Sequence, residues 1–257
     1  MYKTNQERTQ EYLKRFDRYK VLKSLVPHID PVVFDIGANI GQTTKEILNT
    51  WPEATVHCFE PLPEFYNKLV ENTQDNKNVI CNNIALSNKK NNKLKFYYHD
   101  IQPMLSGINR LNINSKDSIG INEPELAGLQ KGEFLQNANQ EITVNADTLS
   151  NYITENNVDS IDILKMDVQG AEPSILCGAG KLLKRVDVVI TELNFYDLYE
   201  ASQSFYEIEK YLIPAGFRLW DIAHISKNPM NGRTDWVDVI YKKYNQNFSV
   251  IIKTSVK

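Results

Sequence analysis

The residues best suited to bind a nucleoside lie where two successive predicted strands end. The segment VVFDIGANIGQTT, residues 32–44, is a hydrophobic strand that ends at Asp35 and is followed by Gly37 and Gly41. Glycines in such a turn permit unusual backbone angles and let the chain approach a ligand closely. Glu60 ends the next apolar segment, HCFEP, and its carboxylate can accept hydrogen bonds from both hydroxyls of a ribose. Together they predict a nucleoside site.

The turn differs from the common phosphate-binding loops. It lacks the third glycine of G-x-G-x-x-G, which weakens the case for a nicotinamide dinucleotide fold. The segment Gly178-Ala179-Gly180-Lys181 has neither the spacing nor the Ser/Thr of a Walker A loop. The turn alone is equally compatible with a purely structural role. In that interpretation the glycines form a tight turn and Glu60 caps the following helix. The turn, the acid and the strand order together favour the nucleoside interpretation.

Ionisable residues also end later predicted strands. Asp167 ends IDILKMD and could orient a donor, deprotonate a hydroxyl or ligate a metal, or it could cap the following helix. Glu192 and Asn194 end VVITELN, and with Asp167 they offer the oxygen ligands that suit Mg²⁺, although we assign no metal site. His224 follows the sixth predicted strand and His99 opens a long insertion. Either could be a general base, although a lone histidine is more often structural.

A parallel sheet would bring these strand ends to one edge. Predicted strands alternate with helices over most of the chain, which indicates right-handed crossovers. The segments FRLWDIAHI and TDWVDVIYKK are expected to pair as a hairpin around Asn231-Gly232. The sequence therefore predicts an α/β fold with a doubly wound, mostly parallel seven-stranded sheet and an antiparallel edge strand. Residues 78–86 are predicted to be its third strand.

The chain divides into three parts. Residues 1–30 form a helical segment, with one amphipathic helix predicted over 5–26 that could act as a lid. Residues 31–243 form the main domain, with an insertion at about 93–149 between the third and fourth strands. A long polar stretch in that insertion separates predicted strands at 93–99 and 141–149. Residues 244–257 are a tail with no assigned structure.

Three local roles are predicted from position along the elements. Asp147 is expected to cap the helix that follows it. Glu172 is expected to be a surface acid in the first turn of its helix, where it complements the helix dipole. Lys165 is expected to be structural or paired, on the face of its strand opposite to Met166.

Composition narrows the function classes. Twenty-nine basic and 32 acidic residues give a net charge of −3, which argues against a protein whose whole surface attracts nucleic acid. No stretch approaches the roughly 20 apolar residues of a membrane span, and the amino-terminal residues lack a signal-peptide pattern. Three scattered cysteines indicate neither disulfides nor zinc. We expect a cytoplasmic protein that acts on a small molecule or glycan, and the oligomeric state stays open.

Several blocks carry a family resemblance. They run in family order from about residue 31 to 194, and they are VVFDIGANIG, VHCFEPLPEFYNKLVEN, NVICNNIALSN, ITVNADTLSNYI, IDILKMDVQGAEPSILCGAGKLL and VVITELN. In these blocks the chain resembles the S-adenosylmethionine-dependent methyltransferases of the Rossmann-like class I fold, and more narrowly the FkbM family. Many members carry Glu where this chain has Gln169, so a hydrogen-bonding role replaces a carboxylate role there.

The resemblance implies the cofactor S-adenosylmethionine and a division of labour along the strand ends. The first turn would hold the methionine end, Glu60 and Pro61 the ribose, and the third strand's end the adenine. The implied cofactor residues are Asp35, Gly37, Ala38, Asn39, Gly41, Gln42, Thr43, Glu60, Pro61, Asn83, Ile84, Ala85, Asp167 and Gln169. The candidate catalytic residues are Asp167, Glu192 and His224.

The resemblance also implies a reaction. It is O-methylation, with a sugar hydroxyl of a surface glycan or glycosylated metabolite as the acceptor. Two other functions stay open from the sequence. One is a non-catalytic module that binds S-adenosylmethionine, and the other is a nucleotide-dependent oxidoreductase on a similar sheet.

Overall fold

The computed structural model describes residues 4–116, 118–122, 128, 130–201, 204–228 and 231–244. The strands in this part of the chain are β1 Val32–Ile36, β2 Thr55–Phe59, β3 Val79–Asn82, β4 Ala85–Ser87, β5 Asn91–Tyr98, β6 Gln140–Thr148, β7 Ile161–Met166, β8 Val186–Asn194, β9 Phe217–Lys227 and β10 Thr234–Lys243. The α-helices there are α1 Asn5–Arg15, α2 Arg18–Leu25, α3 Gln42–Thr50, α4 Pro63–Thr73, α5 Ile119–Asn122, α6 Lys131–Asn137, α7 Leu149–Glu155, α8 Glu172–Ala179 and α9 Phe205–Leu212.

Within these described residues, seven strands form the main sheet in the order β3-β2-β1-β7-β8-β10-β9. The neighbours from β3 to β8 are parallel, and β10 runs antiparallel to both β8 and β9. The predicted doubly wound, mostly parallel seven-stranded sheet is confirmed. The antiparallel strand was predicted at the edge, which is wrong. β10 returns on the inner side of the hairpin because its apolar residues are buried there, and the largely exposed β9 is left as the edge.

The sheet separates two apolar cores, as the period-two alternation of its strands requires. Phe34 of β1 and Leu164 of β7 point into a core that includes α7, α8 and α9. Val33 of β1 and Ile163 of β7 point into the opposite core, which includes side chains of α2, α3 and α4. The same alternation determines on which face of the sheet each polar residue at the carboxyl end of a strand lies.

The amino-terminal segment consists of two helices rather than the single one predicted over 5–26. Phe16 adopts an extended conformation between them, and the Asp17 side chain accepts the Lys20 amide (2.9 Å) to begin α2. An aspartate in this position is a strong helix start, so it divides the amphipathic run. The Tyr12 hydroxyl donates to Asp221 of β9 (3.0 Å), and Arg18 binds Asp238 of β10 (2.8 Å). The segment therefore packs along one face of the sheet.

The predicted third strand, 78–86, divides between two sheets. β3 belongs to the main sheet, whereas β4 joins a second sheet of order β4-β6-β5. The chain leaves β3 at Asn83, whose side-chain amide donates to the carbonyl oxygens of Glu60 (2.9 Å) and Pro61 (3.1 Å). These side-chain hydrogen bonds replace the backbone pairing that β3 would otherwise continue with the end of β2, and the chain leaves the main sheet here.

The insertion contributes β5 and β6 to this second sheet, and it has a helical part that packs on the loop after β8. The strands predicted at 93–99 and 141–149 correspond to β5 and β6. Leu111 and Phe134 of the insertion form an apolar cluster with Leu198 and Tyr199 of that loop. No described helix is long and apolar enough to span a membrane. The predicted tail falls, beyond Tyr244, outside the described residues.

The predicted cap at Asp147 is wrong by one position. Thr148 is the N-cap of α7, and its hydroxyl accepts the Asn151 amide (3.1 Å). Asp147 is still in β6, where its carboxylate accepts the Thr148 amide (2.7 Å) and the Asn151 side chain (2.8 Å). It supports the cap instead of forming it.

Candidate active site

The turn after β1 is held so tightly that only glycine fits its first position. Gly37 has a φ of +79°, and a Cβ there would lie 1.9 Å from the backbone oxygen of Asp167. The amides of Gly37 and Ala38 both donate to the Phe59 carbonyl, at 3.0 and 3.1 Å. Gly41, with a φ of +93°, then begins α3. The ends of β1, β2 and β7 are therefore brought together at this turn.

A cavity opens beside the turn. Most of its polar residues lie at or after the ends of the main-sheet strands, and most of its apolar residues come from α4, β4, β5 and the segments next to them. Its lining is Ile36, Gly37, Asn39, Phe59, Glu60, Pro61, Leu62, Phe65, Ile84, Ala85, Leu86, Phe96, Pro103, Met104, Ser106, Ile108, Asp167, Val168 and Gln169. One polar end and one apolar slot suit a nucleoside with a charged substituent.

Glu60 is one of two acids that line this cavity, and Asp167 is the other. The Glu60 side chain is nearly buried, and its two oxygens accept the amides of Asn39 (3.0 Å) and Leu62 (2.9 Å). Burial raises the pKa of Glu60 to about 7, and the two amides and Lys165 oppose that rise. Each oxygen keeps a further lone pair for a ligand hydroxyl. The turn and the acid, predicted separately, are thus joined by a direct hydrogen bond.

The three residues predicted to form the adenine wall have two different positions. Ile84 and Ala85 line the cavity, next to Pro61. Asn83 is not among the lining residues, and it holds the backbone of Glu60 and Pro61 through its side-chain amide. Asn83 therefore positions the acid rather than forming the wall.

Behind the turn lies a buried ion pair. The fully buried Asp35 accepts the Thr44 hydroxyl (2.7 Å) and lies 3.1 Å from the Lys165 ammonium. Lys165 also donates to the Gly37 carbonyl (3.2 Å), and it lies 3.7 Å from Asp167. Burial disfavours the charged ammonium, but the carboxylates of Asp35 and Asp167 hold the pKa of Lys165 above its ordinary value. The predicted pairing of Lys165 is confirmed, and Asp35 supports the turn from behind the cavity.

Asp167 follows β7 and borders two cavities. Its side chain is 43% exposed, which leaves it accessible to a ligand. It is not the N-cap of α8, since that position is Ala171. Glu172, predicted to be a surface acid, is 1% exposed and accepts the amides of Val168 (2.9 Å) and Gly170 (3.1 Å). That prediction was wrong because the left-handed backbone at 169–170 turns these amides inward.

The second cavity lies between α2, α3 and the sheet. Its lining is Arg18, Tyr19, Leu22, Thr43, Ile47, Trp51, Ile163, Lys165, Met166, Asp167, Ile190, Thr191, Glu192 and Asp238. Glu192 and Asp238 are opposite residues of β8 and β10. Burial, followed by the charges of Asp167, Asp238 and Glu172, raises the pKa of Glu192 to about 8. A carboxyl group with this pKa can exchange a proton near neutrality.

The other predicted site residues lie at varied distances from these cavities. Thr43 lines the second cavity, whereas Gln42 is exposed and Ala38 is buried in a core. His224 is an exposed residue of the edge strand β9 and lines neither cavity. We predicted that it follows the sixth strand, but it lies within it, because β9 continues to Lys227. The structure therefore does not bring His224 to the site.

His99 is not a site residue either. It is fully buried, its Nδ1 accepts the Gln102 amide (3.1 Å), and its ring packs on Phe134 with centroids 4.4 Å apart. Among the described residues, no group of three or more His, Cys, Asp or Glu side chains could hold a metal ion.

Three residues that line the second cavity were not predicted from the sequence, and they are Arg18, Thr191 and Asp238. The strand registers could have indicated Asp238, because the alternation of VDVIY places it on the same face as Glu192 once β10 is paired with β8. Arg18 comes from an element distant in sequence and carries no local signal of this kind.

Comparison with known proteins identifies the family of this arrangement. The model of the methyltransferase FkbM domain matches residues 35–219. A 2-O-methyltransferase, NoeI of Sinorhizobium fredii (strain NBRC 101917 / NGR234), is 28% identical over 184 residues, which are 72% of each chain. The 31-O-demethyl-FK506 methyltransferase FkbM of Streptomyces tacrolimicus is 28% identical over 174 residues, which are 65% of this chain and 66% of that one. The chain thus spans about two thirds to three quarters of these relatives.

Solved structures with a similar fold include another methyltransferase. The 1,6-didemethyltoxoflavin-N1-methyltransferase of Burkholderia thailandensis, with bound S-adenosylhomocysteine, aligns with a TM-score of 0.44 at 13% identity. The alignment covers 88% of this chain and 76% of that one.

Proposed function

Because the chain belongs to the FkbM methyltransferase family, we propose that it transfers a methyl group from S-adenosylmethionine to an acceptor hydroxyl. We propose a sugar hydroxyl of a glycan or glycosylated metabolite as that acceptor. The names of the two relatives given above are both those of O-methyltransferases, which supports an oxygen acceptor. The observation that carries the proposal is that Asp167 lines both cavities, the one that contains Glu60 and the one that contains Glu192.

The residues of the first cavity fit the proposed cofactor. Glu60, aimed by the amides of Asn39 and Leu62, would accept the two ribose hydroxyls. Pro61, Ile84 and Ala85 give an apolar slot for the adenine. The space that a Cβ on Gly37 would fill is taken up by the Asp167 backbone, so the turn lies against the strand that carries the acid. When bound, the cofactor would supply a methyl group already activated on a sulfonium.

The contribution of the chain is then position and proton transfer. The reaction is a displacement at an activated methyl, so alignment of the two reactants should dominate the rate. We assign the acceptor to the second cavity and its proton to Glu192, whose pKa of about 8 suits a general base near neutral pH. Arg18, bound to Asp238 and Glu46, holds α2 over this cavity and would help to exclude water.

Two measurements test the proposal. Isothermal titration calorimetry of the full chain should show binding of S-adenosylhomocysteine and none of NAD or NADP. Glu60→Ala should weaken that binding by about 10- to 100-fold, because it removes two charge-assisted hydrogen bonds. Glu71→Ala, at an exposed position of α4, is the matched control.

The second measurement is transfer of a radiolabelled methyl group from S-adenosylmethionine to a panel of oligosaccharides and glycolipids. A methylated product, located by mass spectrometry, is the expected result. Binding of NAD in preference to S-adenosylhomocysteine would contradict the proposal, as would binding of the cofactor without transfer to any hydroxyl compound.

A further inference from the structure

A chain of two directional hydrogen bonds reaches Asp167 from the loop after β8. The Tyr199 hydroxyl donates to Gln169 Oε1 (2.6 Å), and Gln169 Nε2 donates to Asp167 Oδ1 (2.9 Å). An ionised carboxylate can only accept hydrogen bonds. The amide nitrogen of Gln169 must therefore face Asp167, its oxygen must face Tyr199, and the tyrosine must donate.

The middle residue of this chain is held in an uncommon backbone conformation. Gln169 has a φ of +55°, in the left-handed region that non-glycine residues rarely occupy. Gly107 of the insertion packs against it, since a Cβ there would lie 3.3 Å from the Gln169 carbonyl oxygen. Such strain persists only where the surroundings impose it, and it concentrates at functional sites.

Tyr199 is enclosed on the side away from Asp167. Its side chain is 4% exposed within the cluster of insertion and loop residues, and its hydroxyl lies 3.4 Å from the Leu105 carbonyl. Burial raises the pKa of Tyr199 well above its ordinary value, and the nearby acids, Glu192 first, add to the rise. The phenol therefore keeps its proton and remains a donor over the working pH range.

On the basis of the proposed function, we propose that Tyr199 and Gln169 are positioning residues that hold the Asp167 carboxylate towards the sulfonium of the methyl donor. Their role is to make the site prefer the cationic S-adenosylmethionine over the neutral S-adenosylhomocysteine. Lys165, 3.7 Å from the other side-chain oxygen of Asp167, anchors the carboxylate from behind. Gln169 thus donates a hydrogen bond to one oxygen, and the Lys165 ammonium attracts the other at longer range.

Gln169 is suited to this role in a way that glutamate is not. An ionised glutamate could accept the Tyr199 hydroxyl, but it could not donate to Asp167. It would also place a second carboxylate beside Asp167, and two neighbouring carboxylates raise the pKa of one of them. The glutamine gives a neutral donor, so the negative charge is concentrated on Asp167. Loss of the methyl group removes the partner of that charge, which would favour release of the product.

The test compares affinities for two ligands that differ by one methyl group and one charge, so it requires no acceptor. Calorimetry gives the dissociation constants of S-adenosylmethionine and S-adenosylhomocysteine for the full chain and for variants. The wild-type chain should bind the former more tightly. Gln169→Leu should reduce that preference by about 5- to 20-fold, since it removes the hydrogen bond to the carboxylate. Tyr199→Phe should reduce it by about 3-fold, since it removes the hydrogen bond that orients Gln169.

Two further variants calibrate the result. Asp167→Asn should abolish the preference, because it removes the charge itself. Tyr196→Phe removes a hydroxyl from the same loop but not from the chain of hydrogen bonds to Asp167, so this variant should retain the preference. A purely structural role would weaken binding of both ligands by the same factor and leave their ratio unchanged.

An unchanged ratio in both Gln169→Leu and Tyr199→Phe would overturn the inference while the proposed function stands. Failure of the wild-type chain to bind S-adenosylhomocysteine would instead reject the proposed function, and the inference with it.

Discussion

Substituting Glu192 with glutamine should stabilise the ligand-free protein at high pH while it removes activity. Glu192 is half-buried beside Asp167 and Asp238 in the second cavity, and burial, followed by those charges, raises its pKa to about 8. Its ordinary value, which the unfolded chain retains, is 4.5. Glutamine has nearly the same shape and carries no charge at any pH, so it reproduces the protonated acid.

The sign follows from the two pKa values. Below about pH 4.5 the acid is protonated in both states, so wild type and variant should unfold with similar free energies. As the pH rises to about 8, the unfolded chain ionises first, and the free energy of unfolding of the wild type falls relative to the variant. A carboxyl pKa raised from 4.5 to about 8 corresponds to at most about 5 kcal/mol, at about 1.4 kcal/mol per pH unit. We expect about 2 to 3 kcal/mol, because water penetration and relaxation moderate such penalties.

The assay is urea unfolding followed by circular dichroism at about pH 5 and about pH 9. At the lower pH Glu192 is protonated in the folded chain and ionises only in the unfolded one, and at the higher pH it is mostly ionised in both. Glu192→Gln should match the wild type within about 1 kcal/mol at the lower pH and exceed it by about 2 kcal/mol or more at the higher one. Methyl transfer should fall by about 100-fold or more, because the substitution removes the proposed general base.

Glu71→Gln, on the exposed surface of α4, controls for the lost charge and should change neither property. A Glu192→Gln variant that is no more stable than the wild type at the higher pH would show that the acid does not lie in the unfavourable environment described here.

Three other substitutions probe the framework of the site. Lys165→Met leaves the fully buried Asp35 unpaired and should lower the free energy of unfolding by about 3 kcal/mol, and Lys165→Arg should recover part of the loss in the same urea titration. Gly37→Ala places a Cβ 1.9 Å from the Asp167 backbone oxygen, so binding of S-adenosylhomocysteine measured by calorimetry should be lost. Arg18→Ala removes the ion pair with Asp238 and releases α2 from the sheet, so limited proteolysis should cut residues 4–26 at least several-fold faster. The same substitution should lower the free energy of unfolding by only about 1 kcal/mol, because the ion pair is partly exposed.

The alternation of strands and helices, and the link between turn and acid, could be predicted because both depend on residues close in sequence. Gly37 follows its strand directly, and Glu60 ends the next one. The second cavity could not be predicted in this way. It depends on β10 lying between β8 and β9, which brings Asp238 opposite Glu192, and on α2, which brings Arg18 across the sheet. His224 was assigned to the site because the sequence was taken to place it at the end of a strand. The sequence does not show that β9 continues past it or that β9 is the edge strand of the sheet.

Local hydrogen bonding explains the smaller errors. The helix predicted over 5–26 has continuous amphipathic spacing, but Asp17 competes for the backbone amide of Lys20 and divides it. Glu172 has the position of a surface acid, yet the backbone amides of Val168 and Gly170 turn towards it. Spacing along the chain carries no information about either competition.

The contact between Gly37 and the backbone of Asp167 has a consequence for redesign of this enzyme. Main chain touches main chain at this point, so the separation between the turn after β1 and the backbone of Asp167 is set by two backbones and not by side-chain rotamers. Libraries that seek new acceptors should therefore keep Gly37, because a side chain there would displace the turn and the Asp167 backbone together. They should also keep Gly107, Gln169 and Tyr199, whose contacts lead to the Asp167 carboxylate.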